Sequence, residues 1–468
     1  MPTLVVHFFY ILVQSTTALL SFSIATRFLG GNDIATWAVG AAIFGYVSLL
    51  DAGTSMIVQR NVASRRADMV EDAEIIAKTV FVALLGIGLV VFVMATAAGA
   101  IVYVSMAGAM MTRVAVNVFG VVVIARGGLI SERTCRMSAS LVLLFSQYAL
   151  LAAGAGTSAL GISILLSAAT FLGLLVIQSD NVRRILLHGR VMPSKIKEYR
   201  EHHLNWIFSS LPSLFIYNFQ VVALKWWSTA EAVAVFSAAH LLYFGSISLF
   251  QITRTLSSVV ISKHHYSASA ERNKAILANL SMNAILVAVA LVLVSVLLLP
   301  VGRLLFPTLS FEEYWPVFAI YGFFLVLEAA QNALADALNA AGETDFKLVN
   351  TSSAVVNVAA CYFLVPPFQM AGAVAAICGA QLVTANWFNV RKAIRVFGLA
   401  PGQVLLTTAR AMLVYAVLVS GHWFARHIGE QIGNVFDAVL VVGILIVSTI
   451  YMLPRALAIV EEYRLIKS

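Results

Sequence analysis

Polar side chains recur on one face of an otherwise apolar stretch, residues 316–336. Glu328, Asn332 and Asp336 follow one another at intervals of four residues, and Gln331 lies beside them. In a helix this spacing places the first three on one face. Carboxylates and amides in such a helix either line a polar cavity, where they bind a polar substrate, a cation or a proton, or join two helices by hydrogen bonds. The sequence leaves both alternatives open.

Two cations occupy equivalent positions in the two halves of the chain. Arg27 precedes Asp33 by six residues, Lys225 precedes Glu231 by the same interval, and the two pairs are 198 residues apart. An apolar stretch follows each pair, so the spacing indicates an internal repeat. The two cations could receive an anionic group of a substrate, or each could pair with its own acid, which is favoured at a helix N-terminus.

Three further charged residues lie near the predicted ends of apolar helices. Asp51 lies roughly two turns from the end of the second helix and is a candidate cavity residue. Arg126 and Arg254 end the fourth and eighth helices, where they could attract an anionic substrate at the mouth of a pathway. The alternative for both arginines is snorkelling, in which the guanidinium group reaches the lipid headgroups.

The composition is that of a membrane protein. Of the 468 residues, 60% are hydrophobic and 11% are charged, whereas soluble domains carry about 25% charged residues. Apolar runs of roughly 20 residues, the length that spans a bilayer, predict fourteen helices. They cover residues 4–26, 36–58, 79–104, 110–128, 137–156, 158–178, 204–226, 232–253, 275–299, 316–336, 347–365, 370–388, 404–424 and 435–453.

We therefore expect an all-α polytopic membrane protein with about 14 transmembrane helices. Two six-helix bundles are related by a parallel pseudo-twofold repeat, because an even number of helices precedes the second half and both halves enter the membrane from the same side. Two extra helices follow at the C-terminus. The predicted domains are 1–178, the basic cytoplasmic linker 179–203, 204–388, and the last two helices with a tail, 389–468.

Positive charge is distributed unevenly between the predicted loops. Of the 30 lysines and arginines, 24 fall on the side of the N-terminus. Because loops rich in Lys and Arg stay in the cytoplasm, both termini are predicted to be cytoplasmic. The net charge of +8 lies in these loops and not on a soluble module, so nucleic acid is not an expected partner. The opposite side holds five cations, Arg27, Arg113, Lys225, Arg303 and Arg426.

Four segments resemble polysaccharide flippases of the Wzx type, in the multidrug/oligosaccharidyl-lipid/polysaccharide exporter superfamily. They are RFLGGNDIATWAV from Arg27, LLDAGTSMIVQRNVA from Leu49, AEAVAVFSAAHLL from Ala230, and LADALNAAGETDFKLVNTSSAVVNVAACYFLVPPFQMAGAVAA from Leu334. The chain departs from the family pattern in the seventh helix, where Asn218 and Gln220 are the polar residues nearest to a frequent acidic position.

The resemblance implies translocation of an undecaprenyl-pyrophosphate-linked oligosaccharide from the cytoplasmic to the outer leaflet of a bacterial inner membrane, by alternating access. It implies as partners this substrate, membrane lipids, a coupling ion (proton or sodium) and a polysaccharide polymerase. Arg27 and Lys225 would receive the diphosphate, and the polar face at Glu328 would contact sugar or the coupling ion. No motif predicts a cofactor or a metal site.

Three other functions are considered beside this one. A drug/cation antiporter of the same superfamily is expected to carry an acidic pocket in its first helix, but residues 4–26 contain no carboxylate. An unrelated secondary transporter of the major facilitator group would carry a charged Gly-x-x-x-Asp-Arg-x-Gly-Arg loop, which is absent. A membrane-embedded enzyme would need catalytic motifs such as GxSxG or HExxH, which are also absent. The chain is therefore not expected to be an enzyme.

Overall fold

The computed structural model describes residues 2–48, 53–63, 67–97, 102–248, 269–341, 346–429, 431, 433–437 and 439–443. Within these ranges every regular element is an α-helix. Eight helical segments of the described residues are long and apolar enough to cross a membrane. The chain is a multi-pass helical membrane protein, and the predicted fold class is confirmed.

The chain divides into two compact units. The first contains Met1–Ala238, Leu305–Leu309 and Cys361–Gln369. The second contains Ala239–Leu304, Ser310–Ala360 and Met370–Ser468. The predicted domain boundaries at the linker and after residue 388 remain predictions, as does the internal repeat.

The helices of the first unit follow the chain in order. They are α1 (Pro2–Phe28), α2 (Gly31–Ser48), α3 (Thr54–Ala63), α4 (Ala67–Ala97), α5 (Val102–Ala125), α6 (Leu129–Ala152), α7 (Ser158–Gln178), α8 (Asp180–His188), α9 (Pro193–Glu198) and α10 (Arg200–Trp227). The next helix, α11 (Ala230–Ser248), begins in the first unit and ends in the second.

The remaining helices belong mainly to the second unit. They are α12 (Ser269–Leu305), α13 (Trp315–Ala340), α14 (Lys347–Val383), α15 (Ala385–Phe397) and α16 (Pro401–Ile428).

The second predicted helix, residues 36–58, is two helices in the structure. α2 ends at Ser48 and α3 begins at Thr54. Gly53, immediately before α3, has a φ of +76°, a conformation that glycine adopts without steric cost. The prediction of one continuous helix was wrong because an apolar run does not reveal this change of backbone direction.

Helices α5 and α6 both begin earlier than predicted. α5 begins at Val102 instead of residue 110, so Arg113 lies near the middle of this helix and not in a loop. At 1.5 Å per residue, Arg113 is about 17 Å from either helix end. α6 begins at Leu129 instead of residue 137, so Arg133 and Arg136 lie within its first turns. Hydropathy misplaced these ends because it treats every arginine as a boundary.

Small residues let α4 and α5 approach each other closely. A Cβ atom added to Gly88 would lie 2.8 Å from the carbonyl oxygen of Gly108, and one added to Gly108 would lie 2.6 Å from that of Gly88. Close backbone contact at small residues is typical of helix pairs in membranes. Elsewhere on the same two helices, Phe81 and Phe119 pack with ring centroids 4.8 Å apart in the core of the first unit.

The predicted basic linker is largely helical and folds against α4. Lys195 in α9 forms an ion pair with Asp72 at 2.9 Å, and Lys78 Nζ donates to the carbonyl oxygen of Leu186 in α8 at 2.9 Å. Hydrogen bonds to Asp72 and Glu198 raise the pKa of Lys195. Part of the positive charge of the linker is thus neutralised by α4, so not all of it is available to bind lipid headgroups.

A buried hydroxyl network joins four helices of the second unit. Ser295 Oγ in α12 lies 2.8 Å from Tyr243 Oη in α11 and 2.9 Å from Tyr415 Oη in α16. Trp315 Nε1, at the start of α13, donates to the carbonyl oxygen of Ser295 at 2.9 Å. A Cβ atom at Gly322 would collide with the Tyr415 hydroxyl. The network therefore fixes α13 against its neighbours and sets the direction of its polar face.

The eleventh and twelfth predicted helices form one long element with an internal break. In α14 the backbone of Gln369 leaves the helical region, with a φ of +48°. Pro366 and Pro367 come just before this point, and proline removes a helical hydrogen bond. The predicted division between residues 365 and 370 therefore lies where the helix is interrupted.

Candidate functional site

The polar face of α13 lies in the interior of the second unit. The Glu328 and Gln331 side chains are 6% and 5% exposed, and Asn332 Nδ2 donates to Glu328 Oε1 at 3.3 Å. With its amide oriented to satisfy both neighbours, Gln331 donates to the two Glu328 carboxylate oxygens at 3.1 and 3.2 Å. One carboxylate is therefore held by two amides of its own helix.

A second helix completes this arrangement. In the same orientation Gln331 accepts a hydrogen bond from Asn389 Nδ2 in α15, and Asn389 is 2% exposed. We call Glu328, Gln331, Asn332 and Asn389 the amide cluster. The hydrogen bond between Gln331 and Asn389 joins α13 to α15, a contact of the kind expected from the helix-packing alternative for this face. The Asn389 Oδ1 atom is buried without a hydrogen-bond partner among the described residues.

The remaining residues of the α13 face are more accessible. Asn332 and Asp336 are half-buried, so these side chains keep contact with the surroundings of the helix while Glu328 and Gln331 do not. On the same face, two turns before Glu328, Tyr321 Oη lies 2.9 Å from His240 Nδ1 in α11. The polar face therefore extends from a tyrosine–histidine pair, through the buried carboxylate, to Asp336.

The two repeat-related cations occupy corresponding helix ends. Arg27 lies in the last turn of α1 and Asp33 in the first turn of α2, and both are exposed. Lys225 lies in the last turn of α10, half-buried, and Glu231 in the first turn of α11. Within the part of the chain that the structure describes, no ion pair joins Lys225 to Glu231. The sequence alternative of local pairing is thus not seen for Lys225.

Aromatic rings surround the Lys225 position. Trp226 and Trp227 pack with ring centroids 5.6 Å apart, and Trp227 packs on Tyr362 at the same separation. Tryptophan and tyrosine are enriched at membrane–water interfaces. The contacts fit an interfacial position for this end of α10.

Of the three remaining sequence candidates, the structure describes one. Asp51 and Arg254 lie outside the described residues. Arg126 follows the end of α5, where its guanidinium group pairs with Glu74 of α4 and donates to Asn181 Oδ1 of α8 at 2.9 Å. Arg184 of α8 pairs with the same Glu74 carboxylate. Arg126 therefore helps to hold α8 against α4 and α5.

A further charged group in the first unit was not predicted from the sequence as a candidate site. Glu132 in α6 is fully buried. Its Oε1 atom accepts from Arg136 Nε at 2.7 Å and pairs with Arg136 Nη2 at 2.6 Å, while Oε2 lies 3.3 Å from Arg133 Nη1. Arg136 Nη1 also donates to Asn117 Oδ1 in α5 at 2.9 Å. One carboxylate is thus shared by two arginines.

Arg113 adds a third guanidinium group to this region. Arg113, Asn117 and Arg136 line one small cavity of about 10 Å³. The Arg136 guanidinium group lies 4.5 Å from the centre of the Phe171 ring, and that of Arg133 lies 4.0 Å from the centre of the Tyr10 ring. Such cation–π contacts are attractive. We call Arg113, Asn117, Glu132, Arg133 and Arg136 the guanidinium cluster.

The sequence did contain a signal for this cluster. Glu132 and Arg136 are four residues apart, as are Arg113 and Asn117, and this spacing places each pair on one helix face. The signal was missed because these residues were assigned to loops or to helix ends. A helix that begins at Leu129 brings all three charged groups of α6 inside the bundle.

Comparison with solved structures identifies the fold. The chain matches "Lipid II flippase MurJ, inward closed conformation" with a TM-score of 0.65 and 11% sequence identity, over 96% of this chain and 98% of that chain. It matches the inward-facing conformation of a multidrug resistance MATE family transporter of the MOP superfamily with a TM-score of 0.62 and 16% identity, over 82% and 94%. No protein-family model and no curated protein sequence matches.

A third structure agrees with these two. The outward-facing conformation of a multidrug resistance MATE family transporter of the MOP superfamily matches with a TM-score of 0.60 and 16% identity, over 85% of this chain and 95% of that chain. The class defined by these findings is a polytopic helical protein with the fold of MOP transporters. Within that class the matches include a lipid II flippase and drug transporters.

Proposed function

We propose that this protein flips an undecaprenyl-pyrophosphate-linked oligosaccharide from the cytoplasmic to the outer leaflet, for the synthesis of a surface polysaccharide or exopolysaccharide. The protein works by alternating access in the inner membrane, with both termini in the cytoplasm. It acts as a transporter and not as an enzyme. A proton or sodium ion supplies the driving force, and a polysaccharide polymerase takes over the product.

The observation that carries this proposal is the chemistry of α1 in the first unit. Helix α1 contains no carboxylate. Two hydrogen bonds between uncharged side chains join it to α6, and its Tyr10 ring contacts the Arg133 guanidinium group of α6. Gln14 Nε2 donates to Ser140 Oγ at 2.6 Å, and Ser21 Oγ donates to Gln147 Oε1 at 2.7 Å. A cation that crosses a membrane needs anionic or multiple oxygen partners, so this region suits a cargo that is not cationic.

The full-length likeness to a lipid II flippase supports a lipid-linked cargo. The sugar head of such a substrate needs a polar path, while its lipid tail can stay in the bilayer. We assign Glu328, Gln331, Asn332 and Asp336 to the sugar or the coupling ion. The first cations met by the diphosphate at the inner mouth are Arg126 and Arg254, with Asp51 beside the path, and Arg27 and Lys225 receive it on the far side.

A second candidate is a multidrug/cation antiporter, favoured by the likeness to MATE transporters. The two functions differ in what a cell loses without the protein. Cells that lack the chain should lose surface polysaccharide and regain it when the wild-type protein is expressed. Their tolerance of a cationic dye such as ethidium should not change. Unchanged surface polysaccharide together with increased dye sensitivity would overturn the proposal in favour of the antiporter.

A further inference from the structure

The guanidinium cluster has more hydrogen-bond donors than acceptors. Among the described residues it holds three guanidinium groups, Arg113, Arg133 and Arg136, and a single carboxylate, Glu132. A guanidinium group offers only donors and no acceptor. Arg133 Nε and Glu132 Oε2 are both buried without a hydrogen-bond partner among the described residues, so the excess lies in the number of guanidinium groups, three against one carboxylate. The cluster therefore has the composition of an anion-binding site.

The position of the cluster makes this excess of charge significant. Arg113 lies at the middle of α5, and Arg136 lies about two turns into α6. A cation at such depth in a membrane costs several kcal/mol unless it faces water or a partner, and intramembrane charges are associated with substrate and ion pathways. A purely structural role for Glu132 would need one arginine, whereas two already share it.

Part of the cluster stays accessible. The side chains of Arg133 and Arg136 are each 17% exposed, while Glu132 is not exposed at all. The cavity of about 10 Å³ beside Arg113 is large enough for one water at most. An anion larger than water therefore meets the accessible edges of the guanidinium groups, while the buried carboxylate holds their inner sides in place.

We propose that the guanidinium cluster binds phosphate oxyanions, and that its natural occupant is the pyrophosphate of the lipid-linked substrate. This inference rests on the proposed function for the identity of the occupant. Planar guanidinium groups bind phosphate through paired, charge-assisted hydrogen bonds, and neighbouring arginines suit two linked phosphates. The negative charge of Glu132 offsets part of the positive charge of the arginines and so keeps the binding reversible.

Inorganic pyrophosphate is the first probe. Its binding to the purified full-length protein in detergent can be followed by the shift in thermal unfolding, at constant ionic strength set with sodium chloride. Arg113→Gln should lower the apparent affinity roughly tenfold or more, the effect of one charged hydrogen bond. Arg184→Gln is the control, because Arg184 also pairs with a carboxylate of the first unit, that of Glu74, and it should bind like wild type.

Glu132→Gln should change the pyrophosphate affinity in the direction opposite to that expected for Arg113→Gln. It removes the negative charge beside the arginines, so pyrophosphate affinity should rise even if the unliganded variant is less stable. The inference fails if wild type does not bind pyrophosphate, if Arg113→Gln binds it as wild type does, or if Arg184→Gln loses as much affinity as Arg113→Gln.

Nanodiscs distinguish the possible sources of the phosphate. Wild-type protein in phosphatidylcholine nanodiscs should be stabilised by polyprenyl pyrophosphate in an Arg113-dependent manner, and much less by phosphatidylglycerol. Equal, Arg113-dependent stabilisation by phosphatidylglycerol, or a response to inorganic pyrophosphate alone, would overturn the substrate as the occupant.

The anion site and the proposed function can fail separately. Arg113-dependent binding in a protein that does not restore surface polysaccharide would refute the proposed function and leave the anion site standing. If the protein restores surface polysaccharide but Arg113→Gln binds pyrophosphate as wild type does, the anion site is refuted and the proposed function stands.

Discussion

The two units bury charge in different ways. In the guanidinium cluster of the first unit, one buried carboxylate pairs with two arginines and a third arginine lies nearby. The amide cluster of the second unit surrounds one carboxylate, Glu328, with neutral amides. Removing an arginine from the guanidinium cluster leaves the buried Glu132 carboxylate without its charged partner, which is costly. The Glu328 carboxylate is hydrogen-bonded to neutral amides, so it can gain a proton with little change in the shape of the cluster. The first arrangement suits recognition of an anion, and the second suits a group that can change its charge during transport.

The largest effect is expected from Arg136→Ala in the first unit. This change leaves Glu132 buried with most of its hydrogen bonds lost, and breaking a buried ion pair costs about 3–5 kcal/mol. The free energy of unfolding of the purified variant should fall by that amount. The double variant Glu132→Gln with Arg136→Gln should recover much of the loss, because no buried charge is left without a partner. A loss below about 1 kcal/mol in Arg136→Ala would show that the pair is not buried as described.

Neutralising the carboxylates of α13 should change function more than stability. Glu328→Gln keeps the shape of the side chain and can still bond to Gln331 and Asn332, so the free energy of unfolding should change by less than about 1.5 kcal/mol. Polysaccharide export should fall roughly tenfold in Glu328→Gln and in Asp336→Asn, which corresponds to about 1.4 kcal/mol in the transport barrier. Export can be measured as surface polysaccharide at equal protein level. Normal surface polysaccharide in both variants would contradict a role of this helix face in transport.

A smaller effect is expected where the amide cluster joins α13 to α15. Asn389→Ala removes the donor to Gln331, and loss of one neutral hydrogen bond costs about 1 kcal/mol. Arg391→Ala on the same helix is exposed and should stay within about 0.5 kcal/mol of wild type. Chemical unfolding in detergent measures both. Equal effects of the two changes would mean that the amide contact contributes nothing to the packing.

The smallest effect is expected at an exposed ion pair of the second unit. Arg303 lowers the pKa of Glu312 below its ordinary value of 4.5, and Ser310 contributes to this. Because the pKa is lowered in the folded state, the stabilisation is present above pH 4.5 and is lost as the pH falls through the lowered pKa. Both side chains are more than a third exposed, so the contribution should stay below about 1 kcal/mol and shrink with salt. Comparing wild type with Glu312→Gln at pH 7 and pH 3 measures it. A larger difference that does not depend on salt would contradict this assignment.

The sequence predicted the membrane fold but not the depth of its charges. Long apolar runs specify helices because a bilayer leaves the backbone few other options. The same rule misled the assignment of Arg113, Arg133 and Arg136, because a paired arginine can lie inside a helix without ending it. Glycine at residue 53 divided another helix for a reason that hydropathy does not measure.

The candidate site was predictable where its residues belong to a single helix. The periodicity of Glu328, Asn332 and Asp336 placed them on one face of α13. The partner Asn389 could not be found in this way, because nothing in the spacing of α15 indicates which helix it faces. The guanidinium cluster likewise needs residues from α5 and α6 together, and only the packed structure brings them into contact.

The most direct test of the central claim is a translocation measurement. The purified protein is reconstituted in vesicles that contain a fluorescent oligosaccharide linked to polyprenyl pyrophosphate, and a membrane-impermeant quencher reports the leaflet in which the sugar lies. We expect wild-type protein to make the inner-leaflet fluorophore accessible, Arg184→Gln to do the same, and Arg113→Gln to do so roughly tenfold more slowly. Wild-type vesicles that quench no faster than vesicles without protein would contradict the account.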